Sequence, residues 1–222
     1  KISYPIIDLT MFRNYHFTNS VIAILMYMLV ITGVFFIFPF YLEEAKGLSV
    51  YLSGLLMLIP AATGIILEPI SGAASDRTGC RIICSIGALL LSLAFTCFIF
   101  LKHETNFAYI IFSLLLLGIG MGIFPSPNGN IIMSHAPEGR AGIASSIRMA
   151  SRKIGSVLGV CLFEFVFSMT MHKRLLTHNI NLRHAGVPGT TMDIALKYVF
   201  IVGFICCIIA LIFSIFAKSK NE

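Results

Sequence analysis

Gly72-Ala-Ala-Ser-Asp76-Arg77-Thr-Gly79-Cys-Arg81 is a short charged stretch set between two long apolar runs, and its reading decides the fold. Residues 50–71 before it carry one charge, Glu68, and residues 82–101 after it carry none. Each run has roughly the 20 apolar residues that a helix needs to cross the hydrocarbon of a bilayer with its own backbone hydrogen bonds satisfied. The quoted stretch is therefore a tight polar turn joining two membrane spans.

The rest of the chain agrees. With 57% hydrophobic residues, 12% charged residues and a mean hydropathy of +0.91, it lies outside the soluble globular range. Apolar runs predict an all-α, polytopic membrane protein with six spans, A to F, at about 19–41, 50–71, 82–101, 107–133, 142–169 and 194–217. Residues 1–18 form a lead-in and 218–222 a tail. No segment remains that could bury a soluble core.

Six spans put both termini on one side, together with the B–C and D–E turns. That side holds Lys1, Arg13, Arg77, Arg81, Arg140, Arg148, Arg152, Lys153, Lys218 and Lys220, ten of the sixteen basic residues. Basic residues gather in short cytoplasmic loops, so both termini are expected in the cytoplasm and the protein in the cell membrane. The net charge of +6 then reflects topology and contact with anionic lipid head groups, not nucleic acid. Cys97, Cys161, Cys206 and Cys207 fall within spans and Cys80 and Cys84 at the start of span C, which predicts free, buried thiols. The Cys80/Cys84 spacing and the loop residues His172, His178 and His184 do not make a metal site, and no cofactor is expected. A chain that opens on Lys1 reads as a piece of a longer one.

Polarity divides the spans. C and F are almost wholly apolar, with Phe95, Ile99, Phe200, Ile205, Ile208 and Phe213 all around them, which predicts lipid-facing helices. B, D and E carry Glu68, Ser126, Asn128, Asn130, Arg148, Arg152 and Glu164, groups costly at membrane depth unless they face a cavity or one another. Gly118-x-x-x-Gly122 in D and Gly155-x-x-x-Gly159 in E predict close helix contacts. In D, Pro125 and Pro127 remove backbone donors and predict a kink beside Asn128, which either borders a cavity or caps the freed carbonyls.

The Gly-x-x-x-Asp-Arg-x-Gly-x-Arg turn resembles the cytoplasmic loop of major facilitator transporters. Three further stretches are similar to fourteen-span drug:proton antiporters of that superfamily. They are Pro5-Ile-Ile-Asp8-Leu-Thr-Met-Phe12-Arg13-Asn14, then Gly47-Leu48-Ser49 with Gly54-Leu-Leu-Met-Leu-Ile-Pro60, and Pro137-Glu138-Gly139-Arg140-Ala-Gly142-Ile-Ala144-Ser145 running on to Arg152-Lys-Ile-Gly155-Ser-Val-Leu-Gly159. The resemblance implies a C-terminal six-span half of a major facilitator fold. Its partner would be an N-terminal half of about eight further spans, on the same chain or missing. It implies that spans C and F are peripheral, and that a small lipophilic or amphiphilic substrate is exported against protons by alternating access. It further implies that Gly72, Asp76, Arg77, Gly79 and Arg81 form a gating loop in which Asp76 pairs with Arg140, Arg148 or Arg152.

Read from the residues alone, Asp76 precedes span C and is expected to accept hydrogen bonds from its free amides, with Gly72 and Gly79 permitting a tight loop and Arg77 and Arg81 binding carboxylates or lipid phosphates. The bland reading of the same stretch is a solvated positive turn that sets topology. Glu164, set among Leu162, Phe163, Phe165 and Val166, is a candidate to carry a proton or meet a cationic substrate, or else a carboxyl with no transport role. Glu68, next to Pro69, is expected to partner a loop arginine. Two other readings stand beside the exporter: a superfamily member moving a metabolite or lipid, and a truncated, non-transporting half that acts as an assembly partner. An enzyme is excluded by the lack of any His-Glu-x-x-His, Gly-x-Ser-x-Gly or phosphate-loop motif.

Overall fold

The computed structural model describes residues 9–137, 139–178 and 189–219, and the side chains of 11–137, 139–172 and 191–219. Lys1, Pro5, Asp8, Glu138, His184 and Lys220, and the His178 side chain, all named above, lie outside what is described.

After a 3-10 turn, Leu9–Arg13, the chain enters α1, Tyr15–Phe40. Asn14 caps it, its side-chain oxygen accepting from the amides of His16 and Phe17 at 3.0 and 3.4 Å. α1 passes Pro39 and widens into a π-turn, Tyr41–Ala45. α2 is Val50–Thr78, capped by Ser49, and α3 is Cys80–Ile99. α4, Phe107–Ile123, and α5, Pro125–Ser134, form one span broken at Phe124; α6 is Ala141–His178 and α7 is Gly189–Phe216. With α4 and α5 taken together, six helices among the described residues are long and apolar enough to cross a membrane.

In lipid no hydrophobic force draws helices together, so close van der Waals contact must do it. Small residues provide that contact here. α6 lies along α1, where a Cβ added at Gly155 or Gly159 would fall on the carbonyl oxygens of Leu25 and Leu29. Thr32 donates across the same contact to the Ser156 carbonyl at 3.0 Å. α4 lies along α2 in the same way, with Gly118 against Pro60 and Thr63, and Gly122 against Gly64 and Leu67. Both predicted small-residue contacts are thus present, each on a different partner helix.

α3 packs on α7 and α4, and α7 also packs on α1. Where they meet, Phe38, Phe95, Phe98, Phe163 and Phe200 are fully buried, with ring centroids 5.0 to 6.4 Å apart. This corrects the reading of spans C and F as lipid-facing all around: Phe95 and Phe200 are core residues, and only faces such as Leu93 and Ile205 are exposed. Uniform hydrophobicity hid an inner side. The most open helices are instead α2 and α6, which expose Leu55, Leu58, Ile65 and Ile66, and Met149, Ile154, Val157 and Phe165.

At the terminal end the first turn of α1 meets the last turn of α7, with His16 Nδ1 3.1 Å from the Phe216 carbonyl. At the opposite end the α3–α4 link is fixed to its neighbours. Tyr41 donates to the Lys102 carbonyl at 2.9 Å, and Lys46 Nζ donates to the carbonyls of His103 and Thr105 at 2.8 and 2.6 Å.

Candidate functional site

The charged stretch that opened the reading is mostly helix. α2 runs through Gly72, Asp76 and Arg77 to Thr78, and only Gly79, at φ +97, interrupts it before α3 begins at Cys80. That φ suits glycine alone, so Gly79 makes the whole turn. Gly72 is helical and close to Ser126 of α5, where an added Cβ would stand 2.8 Å from Oγ. The expected cap is also corrected. Asp76 sits in the last turn of α2, and α3 starts at Gly79 with no side chain capping it. The backbone ladder of α2 runs to its end, with the Gly79 N–H donating to the Ser75 carbonyl at 3.0 Å, and the Ser75 and Thr78 hydroxyls bond back to the carbonyls of Gly72 and Ala74.

Asp76 and Arg77 are exposed, and they line a recess of ≈ 680 Å³ with Ser75, Asn130 and Ser134, and with Ser219 beyond α7. The turn, the end of α5 and the chain after α7 thus share one polar hollow. Arg81 opens instead on an apolar recess shared with Ile82, Ile86, Leu211 and Ile215. Among the described residues no ion pair joins Asp76 to Arg140, Arg148 or Arg152, and the ion pairs present are those of His103 with Glu104 and Asp193.

Arg148 is held by the broken span. Its guanidinium covers Gly129, where a Cβ would lie 2.7 Å from Cζ, and Nη2 donates to the Pro125 carbonyl at 3.2 Å. This is one of four contacts on the break. Pro125 has no N–H, which leaves the Met121 carbonyl without its helical donor. Tyr27 of α1 supplies one, its hydroxyl donating at 2.9 Å while its ring stacks on Phe124 with centroids 4.9 Å apart. Ser71 of α2 donates to the Gly122 carbonyl at 3.1 Å, and Cys84 Sγ of α3 to the Phe124 carbonyl at 3.8 Å. Four helices thus satisfy a break that a membrane would otherwise penalise.

Asn128 is buried rather than cavity-lining, and it caps none of those carbonyls. Its Nδ2 donates to the Ser20 carbonyl of α1 at 3.1 Å. Its Oδ1, Asn19 Nδ2 and Arg148 Nε are buried with no protein partner among the described residues, so a polar strip runs along the contacts of α5 with α1 and α6. Glu68 and Arg152 lie close enough to Arg148 to interact with its charge, but Glu68 is exposed and forms no ion pair among the described residues. Glu164 is exposed too; of the apolar neighbours expected around it, Phe163 is fully buried, Leu162 and Val166 pack half-buried against the core, and Phe165 is exposed. Among the described residues no disulfide joins any of the six cysteines; Cys80, Cys84, Cys206 and Cys207 are buried as expected, whereas Cys97 is half-buried and Cys161 exposed.

The sequence reading missed Tyr27, Ser71 and Cys84. Pro125 announced an orphaned carbonyl, but which helix would answer it is a tertiary fact that one sequence does not carry.

Six helices in which α1 pairs with α6, α2 with α4 and α3 with α7, with a polar turn after the second, invite comparison with known transporters. Residues 3–160 match the model of the Major Facilitator Superfamily. The chain belongs to this superfamily. Its members are transporters and not enzymes. The chain is 27% identical to the riboflavin transporter RibZ of Clostridioides difficile, over 100% of its own length and 47% of that protein. It is 28% identical to the multidrug resistance protein Stp of Mycobacterium tuberculosis, over 80% of its length and 33% of Stp. With the multidrug efflux pump LfrA of Mycolicibacterium smegmatis it shares 24% identity over 74% of its length and 32% of LfrA. The chain therefore spans half or less of these relatives. A solved structure from work on proton-dependent oligopeptide transporters superimposes on 92% of the chain with a TM-score of 0.74, covering 42% of that structure; at 16% identity this shows the fold alone.

Proposed function

We propose that this chain is the C-terminal half of a secondary active transporter that exports small lipophilic or amphiphilic compounds in exchange for protons. The observation that carries this reading is the open flank of the bundle. α2 and α6 leave apolar faces uncovered on a unit half the length of its relatives, as expected of helices that meet a second bundle and border a passage between the two. Both termini face the cytoplasm of the cell membrane, where the recess at Asp76 and Arg77 forms the inner gate. Asp76 stands clear of Arg140, Arg148 and Arg152 in this conformation, and the latch forms when the bundles rock to the outward-facing state. The Arg148–Arg152–Glu68 group lines the inner half of the path, while Glu164 exchanges protons.

A second reading, transport of a polar planar metabolite, is favoured by the match of the whole chain to a riboflavin transporter. One experiment separates them. The full-length native protein, in vesicles with an imposed proton gradient, is offered ethidium or riboflavin. Proton-dependent ethidium efflux supports the first reading, riboflavin movement alone supports the second, and no movement of either with intact folding refutes both.

A further inference from the structure

The end of the bundle opposite the termini carries a titratable cluster that the transport path does not use. Residues 102–105 join α3 to α4, and they are bound from two other elements. From the π-turn, Lys46 holds the carbonyls of His103 and Thr105, and its ammonium lies 5.3 Å from the centre of the Phe107 ring. From α7, the Asp193 carboxylate grips His103 at two points: Oδ1 accepts from the backbone N–H at 3.0 Å, and Oδ2 lies 2.8 Å from ring Nδ1. The other ring nitrogen, Nε2, lies 3.6 Å from Glu104 Oε1. An imidazole set between two carboxylates is arranged for its cationic form.

We propose that His103 and Asp193 form a proton-operated strap between the α3–α4 link and the head of α7. The cationic ring pairs with Asp193 and Glu104 together; the neutral ring keeps at most one donor, for Asp193, and loses its attraction to Glu104. Lys46 opposes the charge, and Asp193, Glu104 and Lys46 are the charged groups that act on the ring among the described residues. The Asp193 hydrogen bond, ahead of the other influences, raises the ring above its ordinary value of about 6.5. The sign follows. The strap is fully closed below the ordinary histidine range and loosens as pH rises through the raised value. Assigning it to the outer face, where it meets a medium acidified by the cell, rests on the orientation proposed above; the strap itself does not.

Hydrogen exchange on the purified full chain in detergent tests the strap without regard to orientation, since both faces then see one pH. After correction for intrinsic exchange, protection of the His103 amide is expected to fall several-fold between pH 5.5 and 8.5 in the wild type. In His103→Gln that fall should vanish while Asp193 still holds the amide. In Asp193→Ala, which leaves no acceptor for that amide, protection should be low at both pH values. Equal protection of the wild type at the two pH values, or a pH-dependent fall that survives in His103→Gln, overturns the proposal. His103 is exposed and Asp193 half-buried at the head of α7, so unchanged protection of α1 amides serves to verify the folding of each variant.

Discussion

Gly159→Ala is the sharpest test of the packing described here. The new methyl would fall on the Leu29 carbonyl oxygen and stand 2.7 Å from Thr32 Oγ1 and 2.8 Å from the Leu29 carbonyl carbon. Two of these three are backbone atoms, so α1 and α6 must separate by roughly 1 Å to restore ordinary contact distances near 3.5 Å. Overpacking of this kind costs about 1–3 kcal/mol. The separation also stretches the Thr32–Ser156 hydrogen bond, worth about 0.6 kcal/mol within a membrane. The sum, roughly 2–4 kcal/mol, corresponds to a fall of about 4–16 °C in the unfolding midpoint of a chain of this size. Gly142→Ala is the control: it lies in the same helix, a Cβ there meets nothing within 4 Å, and a gain of roughly 0.5–1 kcal/mol from helix propensity is expected. Thermal unfolding of both variants in one detergent decides the matter. Equal midpoints for the two would refute the claim that the α1–α6 seam is closed at Gly159.

Tyr27→Phe keeps the stack on Phe124 but strips the Met121 carbonyl of its donor, and should cost about 1–3 kcal/mol by the same unfolding assay. The thermal midpoint should fall as pH is raised from 6 to 8.5 in the wild type and be flat over that window in His103→Gln, because only a protonated ring pairs with both carboxylates. In the full-length protein, Asp76→Asn should shift the ratio of inward to outward conformers, read by spin-label distances; an unchanged ratio removes the latch. Glu164→Gln should abolish the pH dependence of efflux while leaving folding intact, and an unaltered pH profile would exclude that residue from proton exchange.

Much of this fold was legible because a bilayer demands long apolar helices, and six such runs stand out without any tertiary information. The break at Phe124 was legible as well, since two prolines cannot continue a helical ladder. What escaped was direction. Phe95 and Ile205 are both apolar, yet one is core and the other exposed, because in a bilayer the lipid-facing side of a helix is as apolar as its buried side. The charged stretch misled for a related reason. Gly72 and Asp76 look like loop residues by type, and only the backbone ladder, closed by the Gly79 N–H on the Ser75 carbonyl, shows that the helix runs past them. Asn128 and the two glutamates were singled out by polarity, but their partners and exposure depend on neighbours remote in sequence.

The 29 residues of α2 form one rod of about 43 Å, longer than the roughly 30 Å of hydrocarbon it crosses. Asp76 and Arg77 therefore ride on the tip of a helical arm that packs against α4 at Gly64, about 20 Å away along the axis, with Pro69 in between. A tilt of about 15°, modest for a rigid-body rearrangement, would sweep that tip through roughly 5 Å, enough to make or sever a contact between charged side chains. A flexible loop would absorb such a tilt; a helix, even one that lacks a donor at Pro69, carries much of it to the turn at Gly79.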